Sequence, residues 1–257
     1  MQPFVNQRSI VREIWGRHDT VLLIFAGSAA EFALNKAVDW LYFTGRLPSD
    51  PLGRLFSTVT YARNIVFSEN QKALHVIDAM RNIHGQVEAN RNARIPDWAY
   101  RDVLYMLIHY SIASFETLER KLSQAEKEDV YDVFYRVGSR MGLKELPSTF
   151  PLWLVSREHH LRNDLLWSHY TRDLFKQYKK HLGQIRYRIL IESQKLVVPP
   201  IVKDLLQFKN AKVLSPLIPV YKMVRKAKLD WFLFSGILPS TYRGQIKALN
   251  IDPLLTR

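Results

Sequence analysis

The run Ser68-Glu69-Asn70-Gln71-Lys72-Ala73-Leu74-His75-Val76-Ile77-Asp78-Ala79-Met80-Arg81-Asn82-Ile83-His84-Gly85-Gln86-Val87 decides how this chain folds. Ala73, Ile77, Met80, His84 and Val87 recur at steps of three and four, so they line one side of a helix. Ser68 with Gln71 three residues on has the spacing of a capping box, in which two side chains take backbone N–H groups of the first turn. The same period governs nearly the whole chain. Strand-like alternation is nearly absent, glycine is only 10 of 257 residues, and no Asn-Gly or Asp-Gly pair marks a hairpin.

Upstream, a helix is expected from about Asp19 to Phe43, closed by Thr44-Gly45. Asp50-Pro51 opens the next, reaching about Phe67. Aspartate accepts from free N–H groups there, and proline lacks only a donor that would go unpaired. Downstream, Pro96-Asp97 opens a helix running to about Leu122. Ser123 with Glu126 makes a second capping box, for a helix ending near Met141-Gly142. Pro151 begins a segment holding His159 and His160. A long helix from about Thr171 to Val197 is stopped by Pro199-Pro200, and shorter helices follow among Pro216, Pro219 and Pro239. Connections are short and no repeat interrupts them. We therefore expect one all-α domain over 1–257, with a core at about 19–197 and a C-terminal helical extension at about 200–257.

Composition removes several kinds of chemistry. The chain has no cysteine, which excludes disulfides, cysteine zinc sites, iron–sulfur clusters and thiolate-ligated or covalently attached haem. Any metal must be held by histidine, carboxylate or carbonyl groups. A net charge of +13 suits nucleic acid, an anionic membrane surface, or an anionic cofactor or substrate. The densest basic stretch runs from Lys176 through Lys179, Lys180 and His181 to Arg186 and Arg188. It reads either as a solvated helical face or as a strip for peripheral membrane contact or for facing phosphate. Charges at Arg8, Arg12, Glu13 and Arg17 exclude a secretory signal over the first 17 residues, and the apolar run from Val21 to Ala30 is too short to span a bilayer. A cytoplasmic protein without a signal peptide or transmembrane helix is the expectation.

The residues able to carry chemistry are few. Arg54 and Thr58 are four apart and stack on one side of their helix. They serve either as surface groups or as donors to the anionic edge of a cofactor. His84 lies on an apolar stripe, where a neutral imidazole can bind iron, and the following Gly85 leaves room for a flat ring. The plainer reading of His84 is a hydrogen-bonded core histidine. His109, beside Tyr105, Ile108 and Ile112, is either a structural hydrogen-bonding group or a second ligand. His159 and His160 are adjacent and so point about 100° apart on a helix; they cannot chelate one metal together, and a surface or interface role is expected. Glu31, Asn35 and Asp39 repeat every four residues along an apolar helix. Such a stripe either borders a cavity or binds basic residues opposite. No dinucleotide fingerprint, P-loop, H-E-x-x-H, nucleophile elbow or di-iron E-x-x-H pair is present.

Several of these residues stand in a wider pattern. Ala30-Glu31-Phe32-Ala33, Val38-Asp39-Trp40-Leu41, the run from Thr44-Gly45-Arg46-Leu47-Pro48 through Asp50-Pro51-Leu52-Gly53-Arg54 to Ser57-Thr58, and then Ile83-His84 occur in that order. Leu107-Ile108-His109, the segment from Leu143 to Pro147, and Ser235-Gly236-Ile237-Leu238-Pro239 follow. Over residues 20 to 245 the chain resembles the MpaB/latex-clearing-protein family of oxygenases. The resemblance implies an all-α, globin-related core that binds haem b non-covalently. It makes His84 the iron ligand, with Arg54 and Thr58 as the polar, catalytic pair near the haem. His109, read from its own surroundings, is a further candidate cofactor-binding group. The resemblance also implies dioxygen and a small lipophilic, isoprenoid-type substrate whose carbon–carbon double bond is cleaved to two carbonyl ends. The electron donor is not implied. Glu31, Asn35, Asp39 and Ser57 become candidates to line the substrate pocket.

The chain departs from that family in places. Rubber-cleaving members carry a lysine just before the threonine, where this chain has Ser57, so capping of the iron by lysine is not expected. Many members have a His-Pro pair in the first core helix, where this chain has Gly27-Ser28. Three functional classes are distinguishable: a haem-dependent oxygenase, a non-catalytic haem carrier or sensor, and a basic helical nucleic-acid binder. Long apolar helices and the lack of helix-turn-helix spacing argue against nucleic acid.

Overall fold

The computed structural model describes residues 2–43, 51–209 and 213–226, leaving aside the side chains of 51, 52, 54–56 and 226. The described α-helices are α1 (Ile10–Gly16), α2 (His18–Phe32), α3 (Asp39–Phe43), α4 (Pro51–Val66), α5 (Asn70–Arg91), α6 (Asp97–Leu118), α7 (Gln124–Met141), α8 (Phe150–Asn163), α9 (His169–Val197), α10 (Pro200–Leu205) and α11 (Ile218–Lys226). A 3-10 turn lies at Ser215–Leu217. Among the described residues the only β pairing is two isolated bridges, Pro3 with Glu69 and Asn35 with Leu165. The all-α expectation holds.

The central element is α6. Its buried side chains include Leu104, Tyr105, Ile108, Tyr110, Ser111 and Phe115, spread around more than one face, so it is enclosed rather than laid on a surface. It packs most extensively on α2, and also on α7, α9, α1 and α8. The α2–α6 contact is close because Gly27 has no Cβ. A methyl group there would overlap the ring of Tyr110 and come within 2.9 Å of Val197 on α9. One continuous apolar core runs through these helices, with Trp15 and Trp153 fully buried in it. A smaller cluster of Ala33, Val38, Leu174 and Tyr178 joins the segment after α2 to the first half of α9.

Several boundaries differ from expectation, each for a tertiary reason. The helix expected over 19–43 ends at Phe32 and resumes only at Asp39. Between them Asn35 Oδ1 accepts the Ala37 N–H at 2.8 Å, giving the backbone a turn in place of helix. The Lys36 N–H donates to the Asp164 carbonyl at 2.9 Å and the Leu166 N–H to the Leu34 carbonyl at 2.8 Å, so the loop after α8 holds this segment open. Glu31, Asn35 and Asp39 therefore do not form one helical stripe. The capping box expected at Ser68 is also replaced, because Glu69 occupies the N-cap without a side-chain bond. Pairing with the N-terminal segment takes over: the Phe4 N–H donates to the Ser68 carbonyl, and the Asn70 N–H to the Gln2 carbonyl. At α7 the box of Ser123 and Glu126 does form, and Gly142 closes that helix with φ 82°.

Two features went unforeseen. Helix α9 is broken by Gly183, whose φ of 73° is one that glycine alone adopts cheaply. Helix α11 is fastened to the body by charge. Tyr221 and Arg225 donate to Asp19 Oδ2 at 2.8 and 2.6 Å, and Arg225 and Arg17 share Glu119. The described part of the expected C-terminal extension is thus tied into the α2–α6 layer. Asp50, and the Ser235–Pro239 segment that carries part of the resemblance, lie outside the described residues.

Candidate functional site

The polar groups picked out by sequence spacing fall on two regions. The first is the α4–α5 hairpin. Helix α4 begins at Pro51 as expected, and three residues link it to α5, so the two helices run antiparallel and α5 is the main packing partner of α4. At about 1.5 Å per residue, Arg54 and His84 both lie roughly 20 Å from that link. They share the open end of the hairpin, with Thr58 one turn further in. Thr58 is half-buried and Ser57 exposed, while the Arg54 side chain lies outside the described residues. His84 is half-buried, with its ring edge-on to Tyr100 of α6 at 5.3 Å. A Cβ built on Gly85 meets no protein atom within 4 Å, so the helix surface next to His84 can be approached closely.

The second region is the junction of α2, α6 and α8. His109 Nε2 is buried and has no hydrogen-bond partner, while its ring makes a hydrogen bond to the Val197 backbone. Burial, helped by Arg157 and opposed by Glu31 and Val197, pushes the His109 pKa down to about 4. At neutral pH it is an uncharged imidazole with an available lone pair. Beside it Arg157 meets Glu31 in a buried two-pronged pair, Nη1 to Oε1 at 2.6 Å and Nη2 to Oε2 at 2.5 Å. Burial works against the arginine charge, but Glu31 outweighs it and holds Arg157 above its usual value. The Tyr110 hydroxyl donates to Glu31 Oε2 at 2.8 Å, and burial together with that carboxylate keeps the phenol protonated. Of the two readings of the acidic residues, binding to basic partners describes Glu31. It also describes Asp39, which pairs with Arg91 at 2.6 Å.

Asn35 does something else. Its Nδ2 donates to Asp102 Oδ2 at 2.6 Å, and Asp102 Oδ1 in turn lies against His160 Nδ1. Asp164 Oδ2 approaches the same nitrogen at 2.5 Å. One donor atom from each of Asp102, His160 and Asp164 lies within 4.8 Å of the others, an arrangement able to hold a metal ion. Adjacent positions on α8 do diverge as expected. The surface or interface role, however, fits only His159, because His160 turns inward and is buried. Asp102 was missed in the sequence because it is a single carboxylate in an apolar stretch of α6. The four-residue step from His160 to Asp164 was the available signal.

The basic strip lies on both sides of the Gly183 break, with Lys176, Lys179, Lys180, His181 and Arg188 exposed. No described helix is long and apolar enough to cross a membrane. Residues 15–229, more than four-fifths of the chain, match the family model described as ER-bound oxygenase mpaB/B′ and rubber oxygenase, catalytic domain. The chain belongs to that family. Its members' catalytic domain therefore spans α2 to α11 here, including the hairpin with Arg54, Thr58 and His84 and the junction with His109. Family membership identifies an oxygenase-type catalytic domain and supports an enzyme. No curated protein and no solved structure matches the chain.

Proposed function

We propose that this chain is a haem-b-dependent oxygenase that uses dioxygen to cleave a carbon–carbon double bond in a small lipophilic, isoprenoid-type substrate. The observation that carries the reading is the family match across the α4–α5 hairpin, which has Arg54, Thr58 and His84 in order. The residues fit a haem in one testable respect: His109 Nε2 is a buried, uncharged imidazole nitrogen that no protein donor uses. With no cysteine in the chain, thiolate ligation of haem iron is excluded.

In this reading His84 holds the iron from the hairpin. Arg54 and Thr58, on the facing helix, orient the anionic edge of the cofactor or the open face. His109 remains unprotonated and serves either as hydrogen-bond acceptor or as second ligand. Haem b, when bound, supplies the redox-active iron at which dioxygen is activated.

The test is the visible spectrum of protein made with haem available, followed by a pyridine haemochrome assay. About one haem b per chain is expected, and His84→Ala should lose the Soret band; full retention would assign the iron to another residue. His109 favours one alternative, a non-catalytic haem carrier or sensor, because its unused ring nitrogen would suit a second iron ligand. Six-coordinate spectra in both redox states that His109→Ala converts to five-coordinate, with no turnover of isoprenoid alkenes, would select that alternative. Cytoplasmic location and peripheral membrane contact through 176–188 belong to the same proposal.

A further inference from the structure

We propose that Asp102, His160 and Asp164 form a binding site for one divalent first-row cation, of the zinc or manganese class, distinct from the site of His84. The three residues come from two elements. Asp102 projects from α6, His160 from the last turn of α8, and Asp164 caps α8 four residues later, on the same face as His160. One donor atom from each lies within 4.8 Å of the others. Ligands held at about 2.1 Å around one ion stand about 3 to 4 Å apart, so small side-chain adjustments would seat an ion there.

His160 Nδ1 and Asp102 Oδ1 are both buried and in near contact, without the alignment of a full hydrogen bond. Charge points the same way. Two carboxylates meet at one imidazole in a largely buried place, where a divalent cation would offset their charge.

The surroundings have the form of a supported metal site. Asn35 Nδ2 holds Asp102 Oδ2 at 2.6 Å and leaves Oδ1 facing His160, while Asn35 itself is fixed by the Ala37 N–H. The Tyr105 ring stands edge-on to His160 at 5.2 Å and walls the apolar side. Asp164 is 17% exposed at its side chain, against 2% for Asp102, which gives the ion an entrance from solvent. One imidazole with two carboxylates suits zinc or manganese better than calcium, which prefers all-oxygen shells. Bound there, the ion would clamp the end of α8 to α6.

The experiment uses the full chain, stripped with a chelator and titrated separately with Zn2+ and Mn2+ by calorimetry, with thermal melting in parallel. One equivalent should bind with a rise in Tm. Asp164→Asn, at the open edge, and Asn35→Ala, outside the ligand set, should each weaken binding at least tenfold while circular dichroism stays helical. His84→Ala should bind the ion as the parent does. His160→Gln should abolish the site, and Asp164→Asn decides the matter if that variant does not fold. Absence of binding by either ion would overturn the proposal. So would equal affinity in the parent and Asp164→Asn, or loss of the ion in His84→Ala.

Discussion

At the residue scale, the Glu31–Arg157 pair couples the folding of α2 to that of α8. Both groups are almost fully buried, so each charge relies on the other. Arg157→Met strands a buried carboxylate and should cost about 3–5 kcal/mol in a urea melt, whereas the double change Glu31→Met/Arg157→Met should recover most of that loss. His109 carries a pH signature. Its pKa in the fold is about 4, below the ordinary value near 6.5, so the unfolded chain binds the extra proton between those limits. Stability should fall as pH drops from about 6.5 toward 4 and then level off with respect to this group. His109→Gln should flatten that stretch of the acid-unfolding curve.

At the element scale, the close contact of α2 on α6 rests on Gly27. Tyr110 cannot yield, since its ring is buried and its hydroxyl is held by Glu31. Gly27→Ala should therefore destabilise the protein by about 1–3 kcal/mol, read as a lower urea midpoint with the helical spectrum kept. The helices were largely legible in the sequence because a 3.6-residue apolar period needs no distant partner to be visible. What could not be read was where distant backbone intervenes. Asn35 has ordinary helical neighbours, yet pairing with Leu165 takes it out of the helix. Ser68 has capping spacing, yet the N-terminal segment takes its place. The same limit applied to the site. Arg54, Thr58 and His84 stood out through local spacing and a family likeness, while Asp102 and Arg157 acquire meaning only from what the fold brings beside them.

At the scale of the whole molecule, charge fastens the last described helix to the first layers. Burial alone would raise the Asp19 pKa, but Arg225 and Tyr221 more than offset this and hold it below its usual value. A carboxylate depressed by folding stabilises fully above its unfolded pKa, near 4, and its contribution is lost as pH falls through the lower folded value. Attachment of α11 should therefore be kept at neutral pH and weaken in acid. Arg225→Ala should loosen it already at neutral pH, seen as faster limited proteolysis near 213–226 with the other described helices protected. Unchanged cleavage would mean that apolar contacts hold α11 without the ion pairs.

The lacing of the segment after α2 to the loop after α8 is made by main-chain atoms: the Lys36 N–H to the Asp164 carbonyl, and the Leu166 N–H to the Leu34 carbonyl. Bonds of this kind are indifferent to side-chain identity and intolerant of a change in chain length. Among natural descendants of this sequence, the exposed positions 36 and 166 should drift in residue type, while one-residue insertions and deletions around 33–38 and 164–166 should be purged. Spacing, rather than composition, is what heredity has to preserve there.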